Sequence, residues 1–236
     1  LAVKKTNVKI VENLSNMFKD KIDLSKQNYN SDTTLTLAVR NTNIKIIQHL
    51  CSTFNNSIKV NRQDKNGDTI LLLAIQQANF DAIKLILKQY RDYIIINIQD
   101  KNGNTALMLA EQQSNFKVVS LLCNTFTDKI DIKKQNKNGD TVLMIAAQQS
   151  NIAIIKIISE KYSDELNIYD RNYNGDTVFM LAAKNTNIEI IQYLYDTFSN
   201  DIDVNDQNYN GETALTHAGR NINAKVYQLL LKLCLR

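Results

Sequence analysis

The sequence predicts an all-α solenoid of stacked helix-turn-helix units, and three regularities carry that reading. The segments Asn66-Gly67-Asp68-Thr69, Asn102-Gly103-Asn104-Thr105, Asn138-Gly139-Asp140-Thr141, Asn174-Gly175-Asp176-Thr177 and Asn210-Gly211-Glu212-Thr213 recur every 36 residues. A further copy, Asn30-Ser31-Asp32-Thr33, keeps the register without the glycine. Alanines at 2, 38, 74, 110, 146, 182 and 218 take the same step, as do asparagines at 7, 43, 79, 115, 151, 187 and 223. Finally, Phe80, Ile83, Ile86, Leu87 and Tyr90 fall on one face of a helix. A period of this length marks a repeat architecture, in which no unit buries its apolar face alone and each leans on its neighbours.

The elements of one unit follow in order. The Asn-Gly pair supplies the positive-φ conformations of a tight turn. The threonine after it is placed to cap a helix by accepting a backbone N–H. The apolar run Ile70-Leu71-Leu72-Leu73-Ala74-Ile75 makes the first helix, with small Ala74 where another helix comes close, and Gln76-Gln77 end it. Asn79 caps a longer second helix, and the extended stretch Ile94–Ile98 leads to the next turn. Units begin near residues 28, 64, 100, 136, 172 and 208 after a partial one over 1–27, and together form one domain over 1–236. The terminal units should expose Val8, Ile10 and Val11 at one end and Leu229, Leu231 and Leu233 at the other. Because the chain opens inside a first helix, the natural protein is expected to continue beyond that edge.

These residues also carry a family resemblance. The pattern D-x-x-G-x-T-x-L-x-x-A is followed by an asparagine-capped I-x-I-I-x-x-L helix and a return such as Ile202-Asp203-Val204-Asn205. It resembles the ankyrin repeat over essentially all of residues 1–236, which implies an ankyrin-type solenoid with short β-hairpin-like turns. The T-P-L-H signature keeps only its Thr and Leu, as at Thr105 and Leu107, and proline gives way to Thr34, Ile70, Ala106, Val142, Val178 and Ala214. That change removes a pre-set φ at the first helical turn. The glycine that usually ends the first helix is Thr, Ala, Ser or Ile, which should strain that corner. The period of 36 against the usual 33 suggests a second helix longer by nearly one turn. Thr-Phe at 53–54, 125–126 and 197–198 alternates with Tyr90 and Tyr162, marking duplication of a 72-residue pair.

Little supports catalysis. His49 and His217 are the only histidines, 168 residues apart, and His217 reads as a core-edge residue. There is no phosphate-cradling glycine loop, nucleophile elbow or Cys/His metal cluster. No enzyme activity, cofactor or metal is expected. Asp100-Lys101-Asn102-Gly103-Asn104 with Glu111 partly matches a calcium loop, but Thr105 stands where the bend needs glycine. Three cysteines make no disulfide framework; Cys51 and Cys123 read as small buried side chains, and reduced thiols suit an intracellular compartment. The 28 basic and 24 acidic residues leave +4, too mild to imply a nucleic acid or anionic membrane. Mean hydropathy is −0.30, and no apolar run approaches a membrane span. Composition and family together suggest an intracellular bacterial, protist or viral source, with the host cytosol as the location if the protein is a secreted effector.

Binding is the better reading. In ankyrin repeats the turn tips and first helices line a concave groove, and the resemblance implies that this face contacts a partner protein. The tip residues here are Tyr29, Lys65, Lys101, Lys137, Tyr173 and Tyr209. The ends of the first helices read Lys4-Lys5, Arg40-Asn41, Gln76-Gln77, Gln112-Gln113, Gln148-Gln149, Lys184-Asn185 and Arg220-Asn221. Tyrosine and arginine bury much area and still hydrogen-bond, and glutamine amides adapt to a peptide backbone. Glu111 stands where other copies carry Val39, Ile75, Ala147 or Ala183, so its carboxylate should reach water or pair with Lys101, and it is a candidate specificity residue. The resulting function is a monomeric interaction scaffold. The alternative is a structural spacer or self-assembling stack whose apolar ends join copies and whose groove holds nothing.

Overall fold

Helices begin where the sequence supplies a capping side chain. The computed structural model describes residues 7–54, 57–185, 187–198, 202–220 and 224–234, and within these the regular structure is helical, with thirteen α-helices and no strand. Six short first helices are α2 (Thr34–Arg40), α4 (Ile70–Gln76), α6 (Ala106–Gln112), α8 (Val142–Gln148), α10 (Val178–Lys184) and α12 (Ala214–Arg220). Seven longer helices are α1 (Val8–Met17), α3 (Ile44–Thr53), α5 (Phe80–Tyr90), α7 (Phe116–Thr125), α9 (Ile152–Lys161), α11 (Ile188–Phe198) and α13 (Ala224–Cys234). Thr33, Thr69, Thr141 and Thr177 accept the backbone N–H three residues on. Asn7, Asn43, Asn79, Asn115 and Asn151 do the same for the longer helices. Ala2, Lys4, Lys5, Asn221 and Asn223, which share these registers, lie outside the described residues.

The chain divides between Leu109 and Ala110, inside α6, into two units. In the first, α2 packs on α4 as a front row, and α1, α3 and α5 pack in sequence behind it. In the second, α8, α10 and α12 form the front row, with α7 on α9 and α11 on α13 behind. The front helices are enclosed almost all round: Ile70 through Ile75 are each at most 3 % exposed. The alanines 38, 74, 110, 146, 182 and 218 are 0–1 % exposed, as their small volume at the closest helix approaches requires. At the ends, Ile10 and Leu231 are exposed, whereas Val11 and Leu233 are buried.

The longer period does not lengthen the second helix as expected. That helix stops at an aromatic residue whose φ lies near −125° (Phe54, Phe126, Tyr162), or, in α5, one residue later. Breaking the helix there lets the ring turn into the core, and Phe54, Tyr90, Phe126 and Tyr162 are all buried. The added residues close a separate turn: Ile94, Ile130 and Leu166 each donate their N–H to the aromatic carbonyl four residues back. It is a 3-10 helix at Arg91–Tyr93. Of the two tyrosines that alternate with phenylalanine, Tyr90 donates its hydroxyl to the Cys51 carbonyl of the preceding repeat at 3.4 Å, whereas the buried Tyr162 hydroxyl has no hydrogen-bond partner among the described residues.

The turns hold a side-chain ladder that the motif reading missed. Only the glycine position takes positive φ, +74° to +80°, with Ser31 at +58° in its place, so the Asn-Gly pair supplies one left-handed residue, not two. The rest of the turn is closed by the Asn or Asp two residues before Asn-Gly. Asp64 Oδ1, for example, accepts the N–H groups of Asn66 and Asp68 at 2.7 and 3.0 Å. Successive turns join by one backbone bond per step, Lys101 N–H to the Asn66 carbonyl and Tyr173 N–H to that of Asn138. One bond does not make a strand. A glutamine adds the second tie: Gln63 Nε2 donates to the Gly67 carbonyl of its own turn (2.6 Å) and the Gln99 carbonyl of the next (2.9 Å). Arg171 takes the same position in the second unit, donating to the carbonyls of Gly175 and Gln207.

The expected strain at the end of the first helix is present. Thr42, Ala78, Ser114 and Ser150 sit at φ +49° to +57°, where a Cβ crowds the following carbonyl. Ala78→Gly and Thr42→Gly should therefore each stabilise the chain by roughly 0.5–1 kcal/mol, the relief of the left-handed penalty less the added freedom of the unfolded chain. Thr42, being β-branched, should gain more. Urea denaturation compared with the parent chain checks both, and a loss of stability in both would contradict the account.

Candidate functional site

The front rows place the sequence-predicted residues in two groups, one per unit. In the first unit the tips Tyr29, Lys65 and Lys101 are exposed, as is Gln77 at the end of α4. Arg40 and Gln76 are half-buried and face inward. The Arg40 guanidinium bridges two buried carboxylates, with Nε 3.0 Å from Asp32 Oδ1 and Nη2 bonded to Asp64. Gln76 Nε2 donates to Asp68 Oδ1 at 2.8 Å. Both therefore support the turns from behind rather than reach outward.

In the second unit Gln112, Gln113, Lys137, Gln148, Gln149, Tyr173, Lys184 and Tyr209 are exposed. Four of them meet. Lys137, Gln148, Tyr173 and Lys184, contributed by two successive turns and the ends of α8 and α10, line one open cleft of about 330 Å³ together with Asn138 and Asn174. Its floor is the carboxylates of Asp140 and Asp176, each accepting a bond from the next turn: Asn172 Nδ2 at 2.9 Å and Asn208 Nδ2 at 2.7 Å. The Tyr173 ring is held against the preceding glycine, since a Cβ on Gly139 would come within 2.6 Å of its Cδ1. Tyr209 lies on Gly175 in the same way, at 2.8 Å. Each ring thus has one face fixed, yet Tyr173 remains 67 % and Tyr209 72 % exposed.

A larger opening in the first unit, about 840 Å³, is lined by Ile58, Lys59, Val60, Asn61, Arg62, Tyr90 and Tyr93. Asn61 and Arg62 in its lining are engaged with neighbouring repeats. Asn61 binds the Tyr93 carbonyl and the Ile95 N–H, and Arg62 binds the Ser25 carbonyl and the Gln27 side chain. That space is a consequence of stacking.

The other groups are committed to structure. Burial pushes the Cys51 thiol up to about 11 and raises that of Cys123, which leaves both protonated and poor nucleophiles. His217, on α12, is buried with Nε2 3.2 Å from Asp176 Oδ1. Asp100 spends Oδ1 on the N–H groups of Asn102 and Asn104, both at 2.8 Å, which turns the partial calcium-loop match into an ordinary closed turn. Among the described residues no group of three or more His, Cys, Asp or Glu side chains is arranged to hold a metal ion, and no helix is long and apolar enough to cross a membrane.

Glu111 corrects its sequence reading. It reaches neither water nor Lys101: it is 0 % exposed, and neither carboxyl oxygen has a hydrogen-bond partner. The helical register that buries Val39, Ile75, Ala147 and Ala183 buries Glu111 too, so it presents no charge to a partner. Desolvation pushes its carboxyl up from 4.5 to about 8.

A family model described as "Ankyrin repeats (3 copies)" matches residues 1–97, 92–170 and 162–234. The chain belongs to the ankyrin-repeat family. Among solved structures, this ankyrin-repeat chain is similar to the ankyrin repeat domain of Bcl-3, described as a unique member of the IkappaB protein family. The TM-score is 0.74 at 20% identity, over 98% of this chain and 96% of that one. It is also similar to EF0377, an ankyrin repeat protein, with a TM-score of 0.71 at 19% identity over 84% of this chain and 96% of that one. At these identities the likeness is one of fold. No curated protein matches the chain. Ankyrin repeats are general protein-interaction modules, in keeping with the open, polar surface that this ankyrin-repeat chain presents.

A neutral carboxyl at Glu111 sets the sign of a pH effect. The folded form keeps its proton where the unfolded chain has lost it, so stability falls as pH rises above about 4.5 and levels off above about 8. Glu111→Ile, copying Ile75, should raise unfolding free energy at pH 8 by roughly 3 kcal/mol or more and remove that decline. Thermal melts of both proteins between pH 5 and 9 measure the difference. Parallel profiles would refute the assignment.

Proposed function

We propose that this chain is a protein-interaction scaffold whose second unit takes a segment of a partner protein in the cleft between Lys137, Gln148, Tyr173 and Lys184. The supporting observation is convergence: four side chains separated by up to 47 positions line one opening. Their chemistry suits a polypeptide. Tyr173 offers an exposed ring face held in place by Gly139, so little rotamer freedom is lost when a partner packs on it. Gln148 and Asn174 offer amides that donate and accept, matching a peptide backbone. Lys137 and Lys184 add charge at the rim, where it steers encounter and selects against cationic segments. In the first unit Tyr29, Lys65, Gln77 and Lys101 are the exposed counterparts. Catalysis, on this reading, belongs to other proteins in the assembly.

Affinity capture tests the cleft. Tyr173→Ala combined with Gln148→Ala should weaken a specific partner at least tenfold, because a central tyrosine commonly contributes about 2 kcal/mol at an interface. Unchanged capture of every specific partner, with melting temperature preserved, would remove the cleft from consideration. Concentration-dependent growth in light scattering would favour the self-assembling stack instead. Gly139→Ala is a second probe: its Cβ meets the Tyr173 ring and backbone at 2.6 Å, on a residue at φ +78°. Binding and stability should fall together, the latter by at least about 1 kcal/mol.

A further inference from the structure

We propose that Asn210 is a site of spontaneous modification, at which the Asn210-Gly211 pair closes to a succinimide and reopens as aspartate or isoaspartate, and that the stacking of turns withholds this chemistry from equivalent tips. Asparagine followed by glycine is the pair most open to it, because glycine has no Cβ to shield its nitrogen. In the reaction the Gly211 nitrogen gives its proton to base and bonds to Asn210 Cγ. The Cγ–Nδ2 bond breaks, and Nδ2 leaves as ammonia. Water then opens the imide at one of its two carbonyls. Attack at Cγ leaves an ordinary aspartate, whereas attack at the main-chain carbonyl leaves the chain running through Cγ as isoaspartate. Water is the co-reactant, and nothing is oxidised or reduced.

The peptide group between asparagine and glycine is planar, so ring closure swings the asparagine carbonyl and the glycine nitrogen together, and whatever holds that group opposes the reaction. Asn66, Asn138, Asn174 and Asn210 are all exposed. In each of their turns the glycine N–H donates to the carbonyl three residues back: Gly67 to Asp64 and Gly211 to Asn208 at 3.0 Å, Gly139 to Asn136 and Gly175 to Asn172 at 2.9 Å. That restraint is common to all four. The neighbouring turn makes the difference. The carbonyls of Asn66, Asn138 and Asn174 accept the N–H groups of Lys101, Tyr173 and Tyr209 at 2.8, 3.0 and 3.1 Å. The next turn also lies directly on the glycine: a Cβ would come within 2.8 Å of Lys101 N at Gly67, 2.6 Å of Tyr173 N at Gly139 and 2.7 Å of Tyr209 N at Gly175. Those three glycines are buried. Gly211 is exposed, and a Cβ there would meet nothing within 4 Å. Among the described residues no backbone N–H bonds to the Asn210 carbonyl.

The molecule contains its own control. Tyr173-Asn174-Gly175-Asp176 and Tyr209-Asn210-Gly211-Glu212 surround the reacting atoms with the same tyrosine and glycine and with an acid after them. Their intrinsic reactivity is therefore alike, and what separates them is the turn that lies on Gly175 and the open space at Gly211. A stacked tip reaches the reactive shape only by breaking its bond to the next repeat, a local opening whose cost sets how often that shape occurs. Conversion at 210 places a negative charge beside the exposed Tyr209, and isoaspartate adds a methylene to the backbone of that turn. Asn138 and Asn174, in the cleft with Lys137 and Lys184, are preserved meanwhile.

Peptide mapping by mass spectrometry tests this on the complete chain, incubated at mildly alkaline pH both folded and in concentrated urea. In the folded chain Asn210 should convert roughly fivefold or more faster than Asn174, the ratio that one hydrogen bond of typical strength supplies. In urea the two rates should converge. Isoaspartate at 210, scored by methyl transfer from S-adenosylmethionine with an isoaspartyl methyltransferase, should be the first to appear. Asn210→Gln, whose longer side chain closes far more slowly, should remove that early signal with the melting temperature unchanged. Equal rates at 174 and 210 in the folded chain, a ratio that persists in urea, or an early signal that survives Asn210→Gln would each overturn the proposal.

Discussion

Every tight turn in this chain has to satisfy its polar backbone at a place where a helix and another turn press against it, and the ladder of side chains between turns is the solution. A buried N–H or C=O left unpaired costs as much as a lost hydrogen bond. Asn or Asp takes up two N–H groups inside the turn, and glutamine or arginine takes up one carbonyl from its own turn and one from the next. Because each repeat completes the bonding of its neighbour, the apolar helices behind are held in register along with the turns. The nearest-neighbour character of the fold is therefore polar as well as hydrophobic.

This constraint divides the surface. Residues needed by the ladder are drawn inward, as Arg40 is to Asp32 and Asp64. Residues just outside it are left to the solvent. Tyr173 and Tyr209 are intermediate, with their N–H groups in the ladder and their rings on glycine, while the remaining ring faces stay open. A surface built this way is fixed at its base and chemically variable at its tips, which is the character that the proposed binding role calls for.

The buried acids follow a related logic. Glu111 sits in an apolar register and Asp68 lies within the influence of the Asp64 charge, yet both fit within helices and turns formed by neighbouring bonds. Neutrality is the cheaper state for a carboxyl deprived of water and of a cation, as Glu111 is. The chain thus carries acid-favouring stability in two places for two reasons, desolvation alone at Glu111 and desolvation with like charge at Asp68.

The step of 36 residues, the capping threonines and asparagines, the enclosed alanines and the strained ends of the first helices are all local or periodic properties, and the sequence by itself determined them. Its candidate binding residues were legible as positions in a register, and most lie at the surface for that reason. What tertiary structure decided is which of them face outward together. A register gives the side of a helix but not the partner of a side chain, so Arg40 paired with aspartates, Glu111 found no partner, and the extra residues became a separate turn once the aromatic rings needed the core. The Asn, Asp and Gln positions of the ladder were visible as a repeat, but their role depends on contacts 36 residues away, and only a folded neighbour supplies those.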